Sequence, residues 1–118
     1  MWSFFFRGVF LEVIKQNRDF LRIFHKGKSA YASTLIVYVC KSRREGKFAV
    51  VAGKKVGGAV VRNRAKRLLR AAFYEITKEY ELPGKTDFIF VARNGIQQAK
   101  MDSVKADMLR CLKRLEII

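Results

Sequence analysis

Residues 54–70 read KKVGGAVVRNRAKRLLR, and the rest of the chain is arranged around them. Seven of these 17 residues are Lys or Arg and none is acidic. Two adjacent glycines, Gly57 and Gly58, stand where a strand hands over to a helix. The preceding FAVVAG, residues 48–53, is short and apolar, as a buried strand is; from Ala59 the apolar residues recur with a helical period. Val61, Ala65, Leu68, Leu69, Ala72, Phe73 and Ile76 then form one broad stripe of a helix from about residue 59 to residue 80. Arg62, Lys66, Arg67 and Arg70 fall on the flank beside that stripe with Asn63 among them, and Arg64 falls on the far side of the polar surface.

On the C-terminal side, Pro83–Gly84 closes the helix region, and DFIFVA at 87–92 brings the chain back as another buried strand. Arg93-Asn94-Gly95 turns it into a last amphipathic helix, Met101 to Leu115. Asp102 or Ser103 is the expected cap there, and Val104, Met108, Cys111, Leu112 and Leu115 the expected core side. On the N-terminal side, SRREGK at 42–47 is a polar hairpin connection in which Gly46 can take a positive φ. AYASTLIVYVC at 30–40 is one strand or two short ones. Alternation puts Ile36, Tyr38 and Cys40 on one face and Leu35, Val37 and Val39 on the other. A short helix begins at Asn17 or Asp19 and runs through His25 to Gly27, with Phe20 and Phe24 on one side. The order helix, strands, helix, strand, helix predicts an α/β sandwich with helices packed on a small sheet.

The 118 residues fit a single domain, 1–118, with an atypical apolar N-terminal segment at 1–15. Half of the residues are hydrophobic and 13% aromatic, which excludes a disordered chain. Against 10 acidic residues stand 25 Lys and Arg, a formal net charge of +15, which calls for a polyanionic partner, nucleic acid first and an acidic membrane second. No apolar run reaches membrane-spanning length, and MWSFFFRGVFLEVIK lacks the basic opening and cleavage pattern of a secretory signal. That apolar start is open to core packing, a binding ridge or an interfacial anchor. Cys40 and Cys111 match no metal-ligand spacing and read as free thiols of a cytoplasmic protein.

Enzyme chemistry finds little to use. His25 is the one histidine, and no second imidazole, carboxylate cluster or nucleophile motif accompanies it. VAGKKVGGAVV fits neither of the glycine-rich phosphate-loop spacings, so the glycines read as a tight connection that lets a phosphate backbone come close. The uninterrupted basic run, in which arginine forks can hold phosphates, carries the stronger signal for nucleic acid. Phe20, Phe24 and Tyr38 can either pin the first helix to the sheet or stack bases of a single strand.

Taken together, KKVGGAVVRNRAKRLLRAAF at 54–73, RDFLRIFHKGKS at 18–29, LIVYV at 35–39 and DFIFVAR at 87–93 resemble the protein subunit of bacterial ribonuclease P. The match includes an arginine–asparagine–arginine signature at Arg62, Asn63 and Arg64. The resemblance implies a small two-layer α/β sandwich of αβββαβα topology, with a mixed central sheet and a left-handed βαβ crossover like that of the second domain of ribosomal protein S5. A generic rule would have given the right-handed crossover. It implies contact with the catalytic RNA through Lys54, Lys55, Arg62, Asn63, Arg64, Lys66, Arg67 and Arg70, and a cleft for the 5′ leader of precursor tRNA lined by Phe20, Phe24 and Tyr38. It also implies an accessory role in leader removal, with the catalytic centre and its Mg²⁺ in the RNA, and no stable membrane association. The alternatives are a general RNA- or DNA-binding module or a small ribosomal protein. This chain departs from the family pattern at Gly58, where asparagine is common, at Ser33, where a basic residue is common, and in its apolar N-terminal segment, so no leader-binding role passes to Arg7.

Overall fold

A computed structural model of the chain describes residues 3–6, 9–14 and 17–118, with side chains from Ile14 and from residues 17–118. The elements are β1 (Ser3–Phe6), β2 (Val9–Val13), α1 (Asn17–Lys26), β3 (Lys28–Tyr31), β4 (Leu35–Lys41), β5 (Lys47–Val51), α2 (Ala59–Glu79), β6 (Thr86–Ala92) and α3 (Met101–Arg114). Two 3₁₀ turns, Lys54–Val56 and Asn94–Gln98, precede α2 and α3. The strands form one mixed sheet in the order β1-β2-β5-β6-β4-β3. β5 runs parallel to β6 through the α2 crossover, and β4 lies antiparallel on the other side of β6.

α2 and α3 cover one sheet face. The stripe expected for α2 is the buried one: Ala65, Leu69, Ala72, Phe73 and Ile76 pack with Val37, Phe48, Phe88 and Phe90 of the strands. The Phe73 ring sits 4.8 Å from Phe90 and 5.5 Å from Phe88, centroid to centroid. From α3, Val104, Met108, Cys111 and Leu112 complete this core, and burial raises the Cys111 thiol pKa. α1 lies on the opposite face, where Ile23 packs with Ile14, Ala49 and Ile89. Ile36, Tyr38 and Cys40 do share a face, since alternate residues Leu35, Val37 and Val39 are buried under α2 and α3.

Three local features differ from expectation. The N-terminal segment adds an antiparallel hairpin, β1–β2, whose second strand pairs in parallel with β5 (Val13 opposite Phe48); the apolar run thus extends the sheet. Arg7 lies outside the described residues. Gly46 has no positive φ; a Cβ there would collide with the Thr86 main chain, so close strand approach requires the glycine. α3 begins at Met101 with Lys100 as its cap residue and no side-chain cap bond. The amides of Ser103 and Val104 already donate to the Lys100 carbonyl, which leaves neither Asp102 nor Ser103 in the capping position.

Asp107 is the unexpected buried group of α3. The Thr34 hydroxyl donates to its Oδ2 at 2.6 Å and the Thr34 amide at 3.2 Å, while Arg110 pairs with Oδ1. Burial opposes its charge, but these donors outweigh burial and hold its pKa below the usual carboxylate value. The contact ties α3 to the β3–β4 turn.

Candidate nucleic-acid interface

Gly57 makes the turn ahead of α2 possible. Its φ is +149°, and a Cβ would stand 2.9 Å from Val61 Cβ. Gly58 is different: its backbone is ordinary extended chain, and the space where a Cβ would point is open. The turn leaves Lys54, Lys55, Gly58, Ala59 and Val60 exposed, Val60 at 81%.

Along α2, Arg62, Lys66 and Arg70 follow one another at four-residue spacing and are half-buried, while Asn63 and Arg67 stand exposed on the next line. Arg62 Nε is buried without a hydrogen-bond partner among the described residues. Tyr74 is also exposed, with Lys78 Nζ 4.4 Å from its ring centroid. Arg64 behaves differently from its neighbours. Its Nη2 donates to the Ala99 carbonyl at 2.8 Å, and its Nη1 reaches the carbonyls of Gln97 at 3.2 Å and Ile96 at 3.4 Å. Gln97 in turn donates its side-chain amide to the Val56 carbonyl. Arg64 therefore braces the second 3₁₀ turn, and that turn braces the first, where Lys54 and Lys55 sit.

On the other face, Phe24 is 41% exposed and meets Tyr38 edge to face at 4.8 Å. Phe20 lies 6.3 Å from Phe24 in a stacked arrangement. Ile23 is the residue that pins α1, so the two phenylalanines remain partly accessible beside it. α1 is also tied at its flank. The buried Asp87 carboxylate accepts from Arg22, from Arg44 Nη1 at 3.3 Å and from the Lys47 amide at 2.8 Å. Arg44 Nη2 also reaches Asp19 at 3.3 Å. The hydrogen bond to Asp87 raises the Arg22 pKa further.

Beyond α1 the same sheet face opens into a groove of about 640 Å³, lined by Ile36, Val51, Val91, Ser33, Arg93 and Asn94 and rimmed by Lys54 and Lys55. The structure thus brings Phe20, Phe24 and Tyr38 into one aromatic cluster, and joins that face to the basic helix through the two lysines. Arg93, Asn94, Gln97, Val60 and Tyr74 were not expected from the sequence. Only tertiary pairing places the first three at the groove or its brace; the helical period alone would have put Val60 and Tyr74 in line with Arg67.

Among the described residues, no group of three or more His, Cys, Asp or Glu could hold a metal ion, and no helix is long and apolar enough to cross a membrane. His25 is exposed at the end of α1. Cys40 and Cys111 are free thiols.

A basic helix on one side of a small mixed sheet, with an aromatic cluster beside an open groove on the other, is the architecture of an RNA-binding α/β protein. Comparison with known proteins gives the family. The ribonuclease P family model matches residues 11–116. The ribonuclease P protein component of Brevibacillus brevis is 35% identical over 109 residues, covering 89% of this chain and 83% of that protein. That of Pelotomaculum thermopropionicum is 35% identical over 108 residues, covering 91% and 95%. Among solved structures, the Staphylococcus aureus RNase P protein superposes with a TM-score of 0.75 at 28% identity, covering 88% of this chain and 94% of that one. The Thermotoga maritima RNase P protein gives 0.73 at 28%, covering 87% and 96%. The chain belongs to the ribonuclease P protein family, the protein subunit that assists in removing the 5′ leader from precursor tRNA.

Proposed function

We propose that the two surfaces divide the work of leader removal between the catalytic RNA and the substrate. Lys54, Lys55, Arg62, Asn63, Lys66, Arg67 and Arg70 face the phosphates of the catalytic RNA. Arg64 serves that surface by holding the turn that carries Lys54 and Lys55. Phe20, Phe24 and Tyr38 stack or wall the single-stranded leader, which continues into the groove.

The observation that carries the reading is the continuity of the surface: Lys54 and Lys55 rim the leader groove and stand at the entry to the basic helix. A chain of formal charge +15 placed between two polyanions lowers their repulsion and raises the local affinity for substrate. The reaction is hydrolysis of one phosphodiester bond, releasing the leader and leaving a 5′-phosphate on the tRNA. The protein supplies position and charge, and Mg²⁺ is held by the catalytic RNA and the substrate. The cytoplasm, where precursor tRNA and catalytic RNA meet, is the proposed site of action.

The test is single-turnover cleavage of precursor tRNA at low Mg²⁺ with the cognate catalytic RNA alone, the protein alone and both together. Strong cleavage only in the combined mixture is the expected result. Equal cleavage with and without the protein would overturn the assignment.

A further inference from the structure

The aromatic cluster does not end at Tyr38. Tyr31, at the end of edge strand β3, pairs directly with Ile36 and is therefore the diagonal neighbour of Tyr38. Its neighbour Ala30 is buried under α3, so alternation turns Tyr31 to the face that carries Phe24, Tyr38 and the groove. Tyr31 is 64% exposed, an unusual state for a large ring with no apolar cover.

The ring is nonetheless held in place. The Arg93 guanidinium lies 5.3 Å from its centroid, and Arg93 Nη1 donates to the Ala32 carbonyl at 2.8 Å. Arg93 is fixed at the main chain as well, through its amide to the Thr34 carbonyl at 2.9 Å. Arg114 reaches the Tyr31 carbonyl at 3.3 Å and steadies the end of the strand. An exposed aromatic ring set beside a guanidinium, at the margin of a groove rimmed by lysines, has the chemistry of a base-stacking platform: π surface for the base and positive charge for its phosphate. Being positioned beforehand, it loses little conformational freedom when a base arrives.

We propose that Tyr31 and Arg93 form a further stacking subsite for one base of the single-stranded leader, beyond the bases at Phe20, Phe24 and Tyr38. This rests on the leader-binding reading of the cleft. The experiment uses the holoenzyme, reconstituted from the protein and its cognate catalytic RNA, and precursor tRNAs carrying one abasic nucleotide at each leader position in turn. Affinities are measured for the wild type and for Tyr31→Ala, Tyr31→Phe and Phe24→Ala.

At one leader position, loss of the base should weaken wild-type binding about fivefold or more and leave Tyr31→Ala binding unchanged. Tyr31→Phe should behave as the wild type, and Phe24→Ala should couple to a different position. If the losses from Tyr31→Ala and from the abasic site multiply at every position while Phe24 still couples to one, no base stacks on Tyr31 and the cleft reading stands. A Tyr31→Ala loss equal for precursor and mature tRNA overturns the subsite in the same way. If no abasic position matters and precursor binds no better than mature tRNA, both the cleft reading and its extension fall.

Discussion

Replacing Arg64 by Met separates a bracing arginine from a phosphate-binding one. Met keeps much of the aliphatic stem and removes the guanidinium. The bond to the Ala99 carbonyl, at 2.8 Å, is well made; those to Gln97 and Ile96, at 3.2 and 3.4 Å, are weaker. A hydrogen bond from a charged group contributes about 1.5–3 kcal/mol net. Because the side chain is half exposed and two of its three bonds are long, a loss of about 2 kcal/mol is the reasonable size. In a domain of this length that lowers Tm by about 8 °C. The effect on RNA is the sharper readout. Each phosphate contact contributes about 0.7–0.9 to the slope of log affinity against log salt. Arg64→Met should melt early and bind the catalytic RNA less tightly with an unchanged slope. Arg67→Met, at an exposed position, should keep the wild-type Tm and lose that increment of slope. A wild-type Tm together with a reduced slope for Arg64→Met would refute the bracing role.

Phe24→Ala should weaken holoenzyme binding of precursor tRNA by about 1–3 kcal/mol and leave mature tRNA unaffected; equal losses for the two would place Phe24 outside the leader path. Gly57→Ala should destabilise the fold by about 1–3 kcal/mol, because φ is +149° and Val61 blocks the new methyl. Gly58→Asn, at an open position with permitted angles, should raise stability by a few tenths of a kcal/mol; urea titration checks both. The Asp107 pKa is lowered on folding, so its contribution is complete above the ordinary aspartate value near 4 and is lost as pH falls through the lower folded-state value. The urea midpoint of the wild type should therefore fall more between pH 7 and pH 3 than that of Asp107→Asn, and equal falls would remove Asp107 from the account.

The elements of this fold were legible wherever periodicity was long. The α2 stripe, the alternation in β4 and the apolar side of α3 all follow from side-chain spacing, because one face of each had to be buried. Contacts set by pairing of distant segments were not legible. Nothing near Asp107 announces Thr34, and nothing near Asp87 announces Arg22 and Arg44; a lone aspartate in a strand or on a helix reads as solvated until the fold brings donors to it. Arg64 shows the same limit within the site. Its sequence neighbours made it one more cation on a basic helix, while its partners are carbonyls more than thirty residues away. Gly46 shows a related limit: a glycine in a turn suggests a special dihedral, whereas here the missing methyl matters.

The sheet shares its apolar cover unequally. Under α2 and α3, rings and branched chains from three strands interlock with two helices; under α1, the buried cluster among the described residues is only Ile14, Ile23, Ala49 and Ile89, with the arginine–aspartate ties at its flank. Opening free energies should differ accordingly. Amide protons of α1 should exchange through a local fluctuation that leaves those of α2, β4 and β6 protected until the whole molecule unfolds. On the proposed division of the two surfaces, the subunit is a firm base with a compliant jaw: one side would keep a constant shape for its RNA scaffold, while the other would yield to leaders of differing sequence without loosening that grip.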